Sequence, residues 1–413
     1  MTKYLIILLL PLLSVNVRAQ RKVVFIIVDG IPADVMEKLK PPVMYNIAGP
    51  SGYTRAYVGG AKGGYSQSPT ISAVGYNHVL TGTWTNKHNV WDNDIKEPNY
   101  RYQNVFRIAA ETKPGVTTAI FSTWLDNRTK LAGDGLAAAG NIRITWAFDG
   151  YEHDTVRFPH GKDRKFISDI DERVATEAAH TIASKAPDLS WVYLEFTDDM
   201  GHAFGDSPRF YDAIIATDTR IGKIWNAVKE REQQTGEEWL VIITTDHGRS
   251  ARDGKDHGGQ SDRERTTWII TNAKNTNDHF KTNAAAVDLA PTILRHLNIN
   301  VPDDVKSEMD GIPLIGNVAF DNLTATRRGK DITLSWTDLK GGSPTADVYV
   351  ATENNFRTGG RDSYRKVATV PLSAGKASFK APAGEATKKR RKDRILKILM
   401  KTPDNWCNTW LTE

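Results

Sequence analysis

Six consecutive apolar positions, Val23-Val24-Phe25-Ile26-Ile27-Val28, stand between Arg21-Lys22 and Asp29-Gly30. A β-branched run with no polar alternation predicts a strand buried on both faces. Similar runs recur at Thr118–Phe121, Trp191–Phe196, Leu240–Thr244 and Trp268–Ile270. Between them the apolar spacing changes to three and four. Ile170, Val174, Ala178 and Ile182 follow that period, as do Tyr211, Ile214, Ile215, Ile221, Ile224, Trp225 and Val228. Both segments predict helices with one buried face. Strand alternating with helix predicts an α/β unit built on a mostly parallel sheet flanked by helices.

Past Gly316 the period becomes two. Ile332, Leu334 and Trp336 alternate with polar residues, as do Val348 and Val350, and Gly341-Gly342 and Gly359-Gly360 supply turns. Residues 317–413 are therefore expected to form a small β-sandwich, with Ile395, Ile398 and Leu399 in its last strand, while residues 20–316 form the α/β domain. The stretch from Leu125 to Lys165 mixes Trp146, Phe148, Tyr151 and Phe158 with polar residues. It reads as an insertion over the sheet edge, where substrate contacts are expected.

The N-terminus changes the picture. Lys3 precedes an apolar stretch from Tyr4 to Leu13, and Val17-Arg18-Ala19 places small residues where a signal peptidase cuts. The stretch falls short of the roughly 20 residues that span a bilayer, so residues 1–19 are expected to be a cleaved signal peptide with no transmembrane anchor. The mature protein is then exported, to a periplasm or beyond the cell. The single cysteine, Cys407, excludes an intrachain disulfide and a thiolate metal cluster. The net charge of +5 is modest for 413 residues and gives no reason to expect a nucleic-acid polymer as partner. The run containing Lys388, Lys389, Arg390, Arg391, Lys392 and Arg394 reads as a solvated loop.

Chemistry gathers at the ends of the predicted strands. Asp29 ends the first, Asp198 and His202 follow the run at Trp191–Phe196, Asp246-His247 follow Leu240–Thr244, and His257 lies in the loop before Trp268. In parallel sheets ligands collect at the carboxyl ends of strands. Three carboxylates and three imidazoles suit Zn²⁺, with Mn²⁺ or Mg²⁺ as alternatives, and exceed what one tetrahedral ion takes. Two ions can together stabilise the entering and departing oxygens of a displacement. Each residue alone has an ordinary reading: Asp29 as a helix N-cap, Asp246-His247-Gly248 as a polar turn, His202 as a loop histidine.

These residues, from about Lys22 to Gly316, resemble the alkaline phosphatase superfamily, in particular its nucleotide pyrophosphatase/phosphodiesterase branch. Ser72 begins a segment that ends in Leu80-Thr81-Gly82, similar to the family's nucleophile region, and Lys87-His88-Asn89-Val90-Trp91-Asp92-Asn93 looks like its conserved asparagine segment. Tyr193-Leu194-Glu195 leading to Asp198-x-x-x-His202 is similar to the second metal motif. Val287-Asp288-Leu289-Ala290-Pro291-Thr292 and Met309-Asp310-Gly311-Ile312-Pro313-Leu314 look like the end of that domain. The resemblance implies an alkaline-phosphatase-like fold and a phosphoric ester hydrolase with two Zn²⁺. It implies Asp198, His202 and His257 at one ion, and Asp29, Asp246, His247 and Ser72 at the other. It makes Ser72 the nucleophile and Asn93 a donor to a phosphate oxygen.

The branch commonly carries a threonine followed by x-Pro-Asn, whereas Ser72 is followed by Ala-Val-Gly; Thr70 is the alternative nucleophile. The implied substrate is a small phosphodiester or nucleotide pyrophosphate. A phosphomonoester is the alternative, with Arg128 and Lys130 either meeting the extra charge or lying on the surface. A sulfatase is disfavoured because no Cys/Ser-x-Pro-x-Arg motif is present, and a non-enzymatic binding protein would not need the full ligand set. The C-terminal part is loosely similar to fibronectin type III modules.

Overall fold

The computed structural model describes residues 19–342, 344–381 and 395–412; residues 1–18 of the expected signal segment and the basic run at 388–394 lie outside them. Seven strands form the main sheet: β1 (Arg21–Val28), β2 (Tyr53–Tyr57), β3 (Thr118–Ser122), β4 (Trp146–Phe148), β5 (Leu189–Leu194), β6 (Glu238–Thr244) and β7 (Thr266–Thr271), in the order β2-β7-β6-β1-β5-β3-β4. β1 runs parallel to both β5 and β6, β3 is parallel to β5 and β4, and β7 is antiparallel to β6 and β2. This is the mostly parallel α/β sheet of an alkaline-phosphatase-like fold.

The uninterrupted apolar run of β1 has a direct physical consequence. Val23, Phe25 and Ile27 enter the core on one face, while Val24, Ile26 and Val28 enter the core on the other. Phe25 stacks on Trp191 at 5.9 Å between ring centroids. The two expected helices are Lys165–Lys185 and Pro208–Thr235, and their apolar stripes close the second face. Among the described residues no helix is long and apolar enough to cross a membrane.

Three expectations are corrected. β5 ends at Leu194, and Phe196–Phe204 is a helix, so Asp198 and His202 share one helical face instead of a loop. The stretch from Leu125 to Lys165 is not simply an insertion: Trp146–Phe148 is the sheet's edge strand, Phe148 stacks on Phe121 at 5.4 Å, and Trp146, Tyr151 and Phe158 pack against the core. Finally, the strand containing Ile395, Ile398 and Leu399 is followed by one more, because Trp406–Thr412 also pairs.

The C-terminal strands are β8 (Phe320–Arg328), β9 (Asp331–Asp338), β10 (Thr345–Ala351), β11 (Arg365–Pro371), β12 (Lys376–Lys380), β13 (Ile395–Lys401) and β14 (Trp406–Thr412). They form antiparallel sheets in the orders β11-β10-β13-β14 and β12-β9-β8. Ile332, Leu334, Val348, Val350, Leu396 and Ile398 share one core, which also takes up Cys407. The alternation seen in the sequence is thus the inward face of each sheet.

A buried histidine ties the two parts together. His279 Nε2 lies 3.0 Å from Asp288 Oδ2, and its Nδ1 lies 2.9 Å from Asp321 Oδ2 on β8. Burial opposes the imidazolium, but the two carboxylates outweigh it and push the group up to about 9. A raised value means that the stabilisation is complete below about pH 6.5 and is lost as pH rises through 9. His279→Gln is expected to cost on the order of 3 kcal/mol at pH 6 and much less at pH 9.5, measured by denaturant unfolding. An equal cost at both pH values would show that no charged clamp exists.

Candidate metal centre

The neighbours β6, β1 and β5 end level with one another, since Val28 pairs with Leu194 and Ile27 with Thr244. The chain leaving them carries Asp246, Asp29 and Asp198. Gly30 turns the chain away from β1 at φ +65°, and a Cβ there would come within 2.4 Å of Asp198 Oδ1. The helix that follows, Ala33–Leu39, has Pro32 at its N-cap, so Asp29 is not a helix cap. Its backbone oxygen accepts from Thr197 Oγ1 at 2.6 Å, and its side chain points into a buried polar cluster.

The hydroxyls of Tyr76 and Tyr193 both donate to Asp29 Oδ2, which leaves Oδ1 without a hydrogen-bond partner. Asp246 repeats the pattern: Oδ1 accepts from the Gly30 N–H at 3.1 Å, and Oδ2 is unpartnered. Both bare oxygens face His247 Nε2, at 3.5 Å from Asp29 and 3.2 Å from Asp246. His247 Nδ1 is 2.9 Å from the Gly248 carbonyl, an arrangement in which Nδ1 donates and Nε2 keeps its lone pair. His257 is fixed in the same way by the Thr70 carbonyl at 2.9 Å. Its Nε2 lies 3.0 Å from that of His202, which in turn is 3.2 Å from Asp198 Oδ2.

The structure thus brings the six expected aspartate and histidine ligands together. Ligand atoms of Asp29, Asp246 and His247 lie within 4.8 Å of one another, and so do those of Asp198, His247 and His257. His247 sits in both groups. The electrostatics fit cations: burial, then repulsion by Asp246 and Asp198, pushes Asp29 well above the usual carboxylate range. Burial and Asp198 push Asp246 up to about 7. Burial drives His247 well below the usual imidazole range, so it is neutral, the form that ligates. Two unpartnered carboxylate oxygens around neutral imidazoles are costly without a positive charge between them and favourable with one.

Ser72 is the first residue of the buried helix Ser72–Thr81, and its Oγ is 3.3 Å from His247 Nε2. Gly75, one turn on, lets this helix approach the Asp246 backbone; a Cβ there would meet Asp246 O at 2.6 Å. The exposed Asn93 accepts from the Ala73 N–H at 2.9 Å through Oδ1, which leaves its amide NH₂ to donate. Thr70 is engaged elsewhere. Its hydroxyl donates to Gly259 O at 2.9 Å and accepts from Gly258 N at 3.0 Å.

Several residues were not anticipated. Tyr76 stands one helical turn after Ser72, and Tyr193 two residues before Glu195, spacings that put their hydroxyls beside Asp29. Arg249, fully buried, reaches Asp198 Oδ1 and the carbonyls of Gly30 and Lys255. Burial opposes ionisation of Asp198, but Arg249 and the histidines outweigh it and hold that carboxylate below its usual range. A cation three residues past Asp246 was the available signal. Arg128 is bound to Asp149 and Asp134, and Lys130 to Asp126, so both are already paired.

The sequence profile of the family described as Type I phosphodiesterase / nucleotide pyrophosphatase matches residues 23–364. The chain is 23% identical over 322 residues to GPI ethanolamine phosphate transferase 2 of Schizosaccharomyces pombe, covering 68% of this chain and 37% of that protein. It therefore spans little more than a third of that relative's length. Among solved structures, the phosphonate monoester hydrolase of Agrobacterium radiobacter is similar at a TM-score of 0.50 and 14% identity, covering 96% of this chain and 89% of that one. Ps i-CgsB in complex with k-i-k-neocarrahexaose is similar at a TM-score of 0.51 and 14% identity, covering 78% and 86%. At such identities the likeness is one of fold.

Proposed function

Since the chain belongs to the type I phosphodiesterase / nucleotide pyrophosphatase family, we propose that it is an exported hydrolase of phosphoric ester bonds that works through a phosphoserine on Ser72. The observation that carries this reading is the position of Ser72 Oγ, at a buried helix start beside His247 and the two unpartnered carboxylate oxygens. Thr70, whose hydroxyl holds the His257 loop, is the weaker candidate. The division into a catalytic part, 20–316, and a sandwich, 317–413, is part of the same proposal.

The donor set suits two Zn²⁺, with Mn²⁺ or Mg²⁺ as alternatives. Asp198, His202 and His257 would hold one ion and Asp29, Asp246, His247 and Ser72 the other; the charge they supply lowers the pKa of the Ser72 hydroxyl and offsets charge on the phosphoryl oxygens. Ser72 Oγ attacks phosphorus in line, and its O–P bond forms as the bond to the leaving oxygen breaks. Asn93 donates through its amide to a non-bridging oxygen, held in place by the Ala73 N–H. The start of a helix also favours an anion through its dipole. Water then enters from the side the leaving group vacated, cleaves the phosphoserine and restores the hydroxyl.

A small diester or nucleotide pyrophosphate fits this site better than a monoester. Three arginines that could meet such a charge are committed: Arg249 to Asp198, Arg164 to Asp199, Arg128 to Asp149 and Asp134. A third phosphoryl charge would find no partner among them. In the stretch where substrate contacts were expected, Trp146 and Phe148 belong to the edge strand and, like Tyr151, pack against the core. Trp91 replaces them in this proposal, being 46% exposed and two residues from Asn93. Bis-p-nitrophenyl phosphate is expected to exceed p-nitrophenyl phosphate in kcat/KM by roughly tenfold or more, with Trp91→Ala raising KM for the diester. Arg128→Ala should leave the ratio unchanged. A monoester preference that Arg128→Ala abolishes would make the protein a phosphomonoesterase.

A further inference from the structure

Lys87 has a surrounding that catalysis as described does not use. It lies in the short helix Thr85–His88, six residues before Asn93, and its side chain is 0% exposed. All three of its N–H donors are taken: Asp310 Oδ1 at 2.6 Å, the Glu308 carbonyl at 2.8 Å and Asn408 Oδ1 at 2.9 Å. Its ammonium also stands 4.7 Å from the centroid of the Trp410 ring. Asn408 and Trp410 both belong to β14, the last strand of the sandwich.

The same strand reaches the other flank of the nucleophile. Trp410 stacks on Tyr65 at 5.7 Å with the rings 13° apart, and its backbone N–H donates to the Tyr65 hydroxyl at 3.1 Å. Tyr65 lies on the segment that leads into Ser72. Thr85, beginning the Lys87 helix, donates its N–H to Ser68 Oγ on that segment at 3.2 Å. A second buried lysine, Lys397 of β13, is held by Glu308 and Asp362 at 2.6 Å each and lies 4.7 Å from the Trp410 centroid. Asp310 further accepts from the Trp84 N–H at 2.9 Å.

We propose that the sandwich is a working part of the catalytic site, with Lys87 as a positioning residue that β14 holds in order to place Asn93 against the helix bearing Ser72. The route is continuous. Asn408, Trp410 and Asp310 hold Lys87, Lys87 anchors the chain running to Asn93, and Asn93 holds the Ala73 N–H next to Ser72. The physical reason for a buried lysine here is specificity of placement: an ammonium with three fixed acceptors has one position, whereas an apolar side chain in that space could slide. The inference rests on the reading of Ser72 and Asn93 given above.

Lys87→Met alone would bury Asp310 without a partner and could unfold the chain. The test therefore uses the charge-neutral pair Lys87→Met/Asp310→Asn and, separately, Trp410→Leu, each checked by circular dichroism and by metal content. Asn93→Ala is then introduced into each background and kcat and KM are measured with bis-p-nitrophenyl phosphate. In the wild-type background Asn93→Ala is expected to lower kcat by about 100-fold. In the altered backgrounds kcat is already reduced, and Asn93→Ala should cost less than about tenfold more, because the amide is no longer placed. A purely structural role would leave the two effects multiplicative. Multiplicative effects, with Ser72→Ala inactive, overturn the positioning role and leave the proposed chemistry standing. Activity retained in Ser72→Ala overturns both.

Discussion

Ser72→Ala is expected to lower kcat/KM for a phosphodiester by about 10⁴-fold or more while both metal sites remain filled. The size follows from the step removed. Without the hydroxyl no covalent intermediate forms, and the residual rate is what positioning and charge alone give to water. Among the described residues Ser72 Oγ has one side-chain hydrogen-bond partner, His247 at 3.3 Å, and alanine is a good helix former at the first turn, so the fold should be little affected. Thr70→Ala is the matched control. It removes both hydrogen bonds to the Gly258–Gly259 loop that carries His257, and is expected to cost about 1–3 kcal/mol of stability with a far smaller loss of rate. Acid quench during turnover should trap phosphate on the peptide containing Ser72. An inactive Thr70→Ala beside an active Ser72→Ala would put the nucleophile two residues earlier.

The second large effect is expected at His247. Its Nε2 faces the bare oxygens of Asp29 and Asp246, and the same ring stacks on His257 at 3.7 Å, so it serves both groups of ligands. His247→Ala should lower bound zinc from about two ions per chain to less than one and reduce activity by about 10³-fold or more. His202→Ala should do less, because His202 is half exposed and joins only the Asp198 and His257 side of the cluster; excess zinc is expected to restore part of its activity. Chelation of the unaltered protein should abolish turnover and zinc should return it. Full activity in a preparation stripped of transition metals, measured by elemental analysis, would remove the two-metal reading.

Much of this was legible along the chain because it depends on local pattern. The six-residue apolar run before Asp29 can be satisfied only by burial on both faces, and β1 is so buried. The three-and-four spacing of Ile170 to Ile182 and of Tyr211 to Val228 gives each segment one apolar stripe, which a helix presents to a core. The positions of Asp29, Asp246 and His247 just past strands were readable for the same reason. Asp198 and His202 were readable as a pair, though not as a helical pair, since Trp191–Phe196 looks like one apolar run and the helix begins inside it.

What the chain alone determined about this protein, then, is its strongly periodic strands and helices and the chemical types of the candidate ligands, because periodicity and residue chemistry are properties of neighbours in sequence. Sheet order was decided only in three dimensions. That β6, β1 and β5 are adjacent, and so bring acids from positions 29, 198 and 246 into one cluster, depends on packing between segments more than 160 residues apart. The same holds for the occupancy of side chains. Arg128 pairs with two aspartates, Thr70 holds a distant loop, two tyrosines leave one oxygen of Asp29 open, and Lys87 is gripped from β14, 321 residues away. Each outcome turns on which polar groups the folded chain leaves unpaired. A buried charge takes the partner that tertiary packing brings to it, and no local pattern names that partner.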